Sequence, residues 1–309
     1  MKKLSEYTNE ELFARVPYRA ERADDISGGN YSYWKSVFYN FSKKKFTLIL
    51  AAFFLLLVLF SFLVPLFSPD YGNLTTNAEE VFLRPDSAHW FGTDNIGRDY
   101  WIQVWAASRT SILLALLVAA GQTVIGVLFG LVWGYVRQLD WLFSFLFNLV
   151  DNIPTIIYLT LISFIVGQGF WIMTISLILI GWLPTALSVR NMVLMIRDRE
   201  FNLESRCLGT PTGRILLKNL LPQLISVLLL SLTLSIPQTI AMESTLSFLG
   251  LGLGIDTPSL GLLLQNARRY FISYPYLLVI PSILVSLVTV TFYLVGNAFA
   301  DASDPKNHR

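Results

Sequence analysis

The sequence predicts an all-α polytopic membrane protein with six transmembrane helices, on three observations. Of its 309 residues 54% are hydrophobic and only 14% charged, against about 25% charged in an ordinary soluble domain. The apolar residues gather in runs near ~20 residues, the length an α-helix needs to cross the hydrocarbon core. Lysine and arginine concentrate on alternate loops, as expected where cytoplasmic loops hold the excess positive charge.

The runs are 46–67, 111–135, 141–166, 170–189, 224–246 and 276–299. The first, FTLILAAFFLLLVLFSFLVPLF, is nearly featureless and closes around Pro65. It follows 45 mostly polar residues with no apolar core behind Lys2 and Lys3, so it reads as a retained anchor rather than a cleaved signal. The second carries Gly121, Gly126, Gly130 and Gly134 roughly along one face, where a neighbouring backbone can approach closely. Small residues beside a pore would look the same. In the third, Pro154 removes a backbone hydrogen bond and predicts a kink next to Asp151. The fourth and fifth are separated by a charged segment, 190–223, and the fifth carries Glu243 at its end.

With the N-terminus inside, the cytoplasmic segments hold nine basic residues in 1–45, then Arg137, six in 190–222, and Lys306 and Arg309. The outer segments keep Arg84, Arg98, Arg109, Arg268 and Arg269. The inverted arrangement would reverse that ratio, so both termini are expected in the cytoplasm, with 68–110 and 247–275 outside and 300–309 as an inner tail. Two flanking segments read as interfacial. In 31–45, Tyr31, Trp34, Phe38 and Phe41 share a helical face ahead of lysines, which suits a helix lying on the inner leaflet against membrane lipid. In 91–111, Trp101, Trp105 and Ser108 share a face, and this segment is expected on the outer leaflet before the second span.

Composition also excludes. A net charge of +2, with no basic cluster interleaved with stacking aromatics, gives nucleic acid nothing to bind. Cys207 stands alone, so no intrachain disulfide forms, and His89 and His308 are too far apart in sequence for a His/Cys metal site. GTPTGRIL lacks the lysine of a phosphate-binding loop and follows no strand, and neither H-E-x-x-H nor G-x-S-x-G occurs. No catalytic residue, cofactor or metal is expected on this chain.

Two acids belong to the spans. A carboxylate in hydrocarbon costs several kcal/mol, so such groups face a bundle interior or a watery path. Asp151 is open between structural hydrogen bonding and a pore or gate role shared with Pro154. Glu243, at the outer end of the fifth run, is open between partial hydration and gating.

The segment 190–223 carries more pattern than a solvated linker. Leu203, Cys207 and Leu208 form a short apolar stripe, GTPTG breaks the helix, and Ile215, Leu216, Leu220 and Leu221 resume it before Pro222. Two short helices at an angle, apolar on one side and charged on the other, make a docking knob. LGTPTGRILLKNLLP resembles the EAA loop of binding-protein-dependent ABC importer permeases, with Gly209, Leu221 and Pro222 at that motif's spacing. FGTDNIGRD (91–99), ESTLSFLGLGL…PSLG (243–261) and the terminal NAFADASDPKNHR, through Asp301, Asp304 and Pro305, resemble three further elements of the oligopeptide/dipeptide branch and its C-type subunit.

That resemblance implies a type I ABC importer permease fold, with core 111–300, in a bacterial plasma (inner) membrane. It implies a homologous second permease subunit, two ABC ATPases carrying ATP and magnesium, and an extracellular peptide-binding protein. It assigns ATPase coupling to Leu203, Glu204, Ser205, Arg206, Leu208, Gly209, Thr210, Pro211, Leu221 and Pro222. Here Leu203 occupies the usual glutamate position and the acid is displaced to Glu204, turned by about 100° around the helix. Gly209 is the stronger carry-over, because a turn of positive φ suits glycine. Dipeptide and nickel permeases share the scaffold, and a secondary carrier is the alternative from another class.

Overall fold

The structure, a computed structural model, describes residues 33–43, 45–68, 78–254 and 257–303. The chain divides into Met1–Ser36 and Val37–Arg309, and the first unit contributes only the opening turn of α1 to the described residues. In order the helices are α1 (Tyr33–Lys43), α2 (Lys45–Phe67), α3 (Tyr100–Tyr135), α4 (Asp140–Asp151), α5 (Thr155–Val166), α6 (Phe170–Ile196), α7 (Glu200–Cys207), α8 (Thr212–Phe248), α9 (Leu260–Ala267) and α10 (Tyr276–Ser303). Helices α2, α3, α6, α8 and α10 are each long and apolar enough to cross a membrane. The pair α4–α5, bent by 78°, makes a broken sixth.

That break replaces the single kinked helix expected over 141–166. Pro154 has φ −53° and ψ 128°, an extended conformation, so the chain stops being helical there and restarts at Thr155. Proline supplies no N–H and disfavours helix in the residue before it, which together end a helix more easily than bend it. Tyr158 donates to the carbonyl of Val150 across the gap at 3.3 Å.

Helix α3 begins at Tyr100, within the segment expected to lie on the outer leaflet, and that expectation is corrected. Asp99 caps it, accepting from the N–H groups of Trp101 and Ile102 at 2.8 and 3.2 Å. FGTDNIGRD is a folded knot that sets this cap in place. Asp94 accepts from the backbone N–H of Ile96 and Arg98, from the Arg98 guanidinium at 2.8 Å and from the Gln103 amide at 2.9 Å. Gly92 has φ +74°, and a Cβ there would collide with the carbonyl of Leu83. The aromatic face predicted for lipid packs on protein instead. Trp105 is buried against Phe60 of α2, and Ser108 is fully buried. Tyr276 of α10 donates to the carbonyls of Leu83 and Thr93, and Tyr100 to that of Leu277, so the knot is bolted to the last helix as well.

The glycine stripe of α3 is a helix–helix seam. Gly126 faces Thr185, Gly130 faces the Ala186 carbonyl and Val189, and Gly134 faces Val193 and the Arg190 carbonyl, all on α6. With no side chain between them the two backbones approach closely, and dispersion replaces the hydrophobic drive that lipid cannot supply. Around this seam the apolar core falls into clusters. Tyr100, Ile112, Ile240, Leu260 and Val288 join α3, α8, α9 and α10. Leu131, Val193, Ile215, Leu220 and Leu224 join α3, α6 and α8 at the opposite end.

Helix α1 covers most of the predicted interfacial segment. Val37 is buried, Phe38 is exposed, and Phe41 meets Phe299 of α10 edge-on at 6.2 Å. Tyr31 at the front of that segment, and Asp304 and Pro305 of the terminal motif, lie outside the described residues.

Candidate coupling surface and cavity

Segment 197–222 forms a helix, a turn and a second helix. Helix α7 ends in a Schellman turn: Thr210 N–H donates to the Ser205 carbonyl at 3.0 Å and Gly209 N–H to that of Arg206 at 2.9 Å. Gly209 sits in the left-handed region at φ +74°, the conformation this motif asks of the residue past the helix. Pro211, with φ −66°, leads into α8. Helix α8 opens with a π-helical turn, Ile215–Leu220, in which Leu221 N–H reaches back to the Leu216 carbonyl. Pro222 offers no N–H to the Lys218 carbonyl four residues before it, and the wider turn accommodates that missing bond.

Polar bonds clamp this unit to the ends of α3 and α6. Asn202, fully buried, donates to the Ile196 carbonyl at 2.8 Å, and Asn219 donates to Asn202 and Ser205. Arg206 donates to the Tyr135 hydroxyl at 3.1 Å and to the Arg197 carbonyl at 3.0 Å, with its guanidinium over the Tyr135 ring. Arg197 in turn donates to the Gly134 carbonyl at 2.9 Å. Asp198 lies within 3.1–3.5 Å of Arg197, Arg137 and Arg206. Burial opposes its ionisation, but the Arg197 hydrogen bond and the three guanidinium charges hold its carboxyl below the usual range. Each exposed pair contributes only about 0–1 kcal/mol; the effect of the set is rigidity.

The outer face is left uncovered. Leu208 is 85% exposed and Leu203 44%. Phe201, Glu204, Cys207, Gly209, Pro211 and Pro222 are also exposed, while Ser205, Arg206, Thr210 and Leu221 are half-buried. The apolar stripe read from the sequence therefore points away from the body, and its partners Ile215 and Leu220 point into it. Glu204 shares the exposed face. Sequence reasoning placed Ser205 and Arg206 on the docking side without seeing that both serve the clamp, and it missed Asn202 and Asn219, whose pairing needs the folded hairpin.

Elsewhere a cavity of about 490 Å³ opens between α3, the α4–α5 break, α6 and α8. Asp151 lines it, as do Gln122, Ser188, Ser231, Ser235 and Gln238. Pro154 creates the break that forms one wall. Asp151 is a pore candidate from the sequence; the polar residues of α8 are not, because a polar helical face suits a helix contact as well as a watery space until the neighbouring helices are placed.

Glu243 is elsewhere, and the expectation of partial hydration is corrected: it is fully buried. Its carboxyl accepts from Ser111 of α3 at 3.0 Å and from Ser247 at 2.8 Å, and Ser259 is set against it. Ser111 also accepts from Leu260 N–H at 3.2 Å, at the start of α9. A Cβ on Gly252 or Gly261 would strike Ser247 or Ser244. The glycines and serines of the ESTLSFLGLG…PSLG stretch thus let α9 fold back over one buried acid.

With this geometry in view, residues 122–309, more than half of the chain, match the family described as binding-protein-dependent transport system inner membrane component. The chain belongs to this family. Residues 32–85 of this inner membrane component match the N-terminal transmembrane domain of oligopeptide transport permease C. It is 38% identical over 290 residues to the oligopeptide transport system permease protein AmiD of Streptococcus pneumoniae, covering 93% of this chain and 94% of that one. It is 32% identical over 304 residues to the dipeptide transport system permease protein DppC of Bacillus subtilis, covering 97% and 94%. A chain from the inward-facing conformations of the MetNI methionine ABC transporter matches with a TM-score of 0.53 at 20% identity, over 63% of this chain and 93% of that one. That likeness establishes the fold.

Proposed function

We propose that this permease is one of two transmembrane subunits of an ATP-driven peptide importer, coupled through α7 and the start of α8 to separate ATPase subunits. The observation that carries this reading is a rigidly clamped knob with an uncovered apolar face. A flexible linker would absorb a push, whereas the Asn202–Asn219 and Arg206–Tyr135 bonds pass displacement of α7 into α3, α6 and α8. ATP hydrolysis then belongs to the partner chains, and a binding protein delivers peptide at the opposite face. Membrane insertion has both termini in the cytoplasm, supported by the basic residues of 1–45 and 190–222. Oligopeptide is the favoured cargo, supported by the names of the relatives matched over nearly the whole chain.

The test is Leu208→Asp in the reconstituted transporter. Because Leu208 is 85% exposed, folding is unaffected and the ATPases detach or uncouple. ATP-dependent peptide uptake that survives with the ATPases still bound would sink the docking assignment.

A further inference from the structure

The cavity has a chemical bias that peptide import alone does not specify. Its α8 wall is a polar stripe: Ser231, Ser235, Gln238 and Thr239 fall at i, i+4, i+7 and i+8, one helical face. Polar side chains aligned within a membrane helix face protein or water rather than lipid. On the α6 wall, Pro184 supplies no N–H to the carbonyl of Ile180, so Ile180, which also lines the cavity, carries a backbone acceptor without its helical partner. On the side of the α4–α5 break stands Asp151, exposed, with no cation paired to it among the described residues. No lysine, arginine or histidine lines the cavity among the described residues. The space is therefore rich in acceptors and carries one negative charge. At about 490 Å³ it falls within the range of ~300–1,000 Å³ that encloses small ligands.

In this stripe Ser235 and Thr239 donate to the Leu232 and Ser235 carbonyls of their own helix and keep oxygen lone pairs as acceptors, while the primary amide of Gln238 both donates and accepts, so the stripe can bond a peptide backbone regardless of its sequence. An ammonium group is donor-only, and every free peptide carries one at its terminus. We propose that this cavity is a station for the ammonium group of a passing peptide, with Asp151 as its counter-ion and the hydroxyl and amide stripe of α8 holding the adjoining backbone. This rests on the peptide-import reading above. The ammonium can be the terminal one or that of a lysine side chain, since the two share the same chemistry.

Two measurements on the complete reconstituted transporter test it. Ser235→Cys is reacted with cationic and with anionic methanethiosulfonate reagents, taking the parent chain, whose one cysteine is Cys207, as background. The cationic reagent is expected to react faster, and Asp151→Asn to bring the two rates together; equal rates with Asp151 present, or no reaction at all, overturn the site. This readout does not depend on peptide being the cargo. Uptake is then compared for one peptide with a free terminus, with an acetylated terminus, and with an acetylated terminus plus one lysine. Asp151→Asn is expected to lower uptake of the free form about tenfold relative to the acetylated form, the loss of one favourable ion pair. A matching loss with the lysine form assigns the station to side-chain ammonium too, and a loss confined to the free form assigns it to the terminus. Equal effects on all three overturn the proposal. Failure of the unmutated transporter to take up any of them would instead sink the peptide reading and leave the cavity measurement standing.

Discussion

Glu243 of α8 and Ser111 of α3 are 132 residues apart in the chain, and a buried hydrogen bond of 3.0 Å joins them. With Ser247 as second donor, the carboxyl holds α3, α8 and the entry to α9 together. Removing an acceptor from buried donors costs about 1–3 kcal/mol for each group left unbonded. Glu243→Ala should therefore lower the thermal midpoint of the detergent-solubilised permease well below that of Glu243→Gln, which keeps an acceptor oxygen. Coincident melting curves for the two variants would show that the carboxyl holds nothing.

A histidine–carboxylate contact lies at the start of α3. His89 Nδ1 is 2.8 Å from Asp99, and its Nε2 is 3.9 Å from Glu80. The hydrogen bond to Asp99, against partial burial and helped by the charges of Asp99, Glu80 and Asp86, holds His89 above its usual 6.5. A raised folded pKa means stability that is complete below 6.5 and lost as pH climbs through the higher folded value. Thermal midpoints should fall over that window, and His89→Gln should flatten the fall. An unchanged pH slope in the variant would assign it to other groups.

The glycine seam predicts a contrast between two glycines. Gly130→Leu drives a side chain into the Ala186 carbonyl and Val189. Forcing bulk into a packed contact costs about 1–3 kcal/mol, so the yield of folded protein should drop. At Gly213 an added Cβ meets nothing within 4 Å, and Gly213→Ala should be silent in the same size-exclusion measurement.

Gly209 separates backbone conformation from contact. Its added Cβ also meets nothing within 4 Å, yet its φ is +74°. Gly209→Ala should cost about 1–2 kcal/mol locally and weaken ATPase association moderately. Gly209→Pro forbids that φ and deletes the N–H bonded to Arg206, so association should be lost while the melting of the membrane core stays unchanged. Equal association for all three chains would show that this turn is no part of the joint.

The six apolar runs were legible in the sequence because lipid-facing residues must be apolar wherever they sit, and five runs match helices whose ends differ by at most about a dozen residues. The knob was legible too, since Gly209, Pro211 and Pro222 act on their own backbone. What the sequence determined by itself was therefore local: which stretches are helical and oily, and where a turn or break must fall. Tertiary structure alone decided which polar groups meet. Trp105 looked lipid-facing because its helical face is aromatic, and only the position of Phe60 makes that face interior. Glu243 looked hydrated because it stands near a helix end, and only the fold-back of α9 seals it. Asn202 and Asn219 carry no periodicity that marks them, and the spacing of Ser231, Ser235, Gln238 and Thr239 marks a common face without saying what that face meets. The reason is physical: a side chain's secondary structure depends on its neighbours in sequence, whereas its solvation depends on what other segments bring to it.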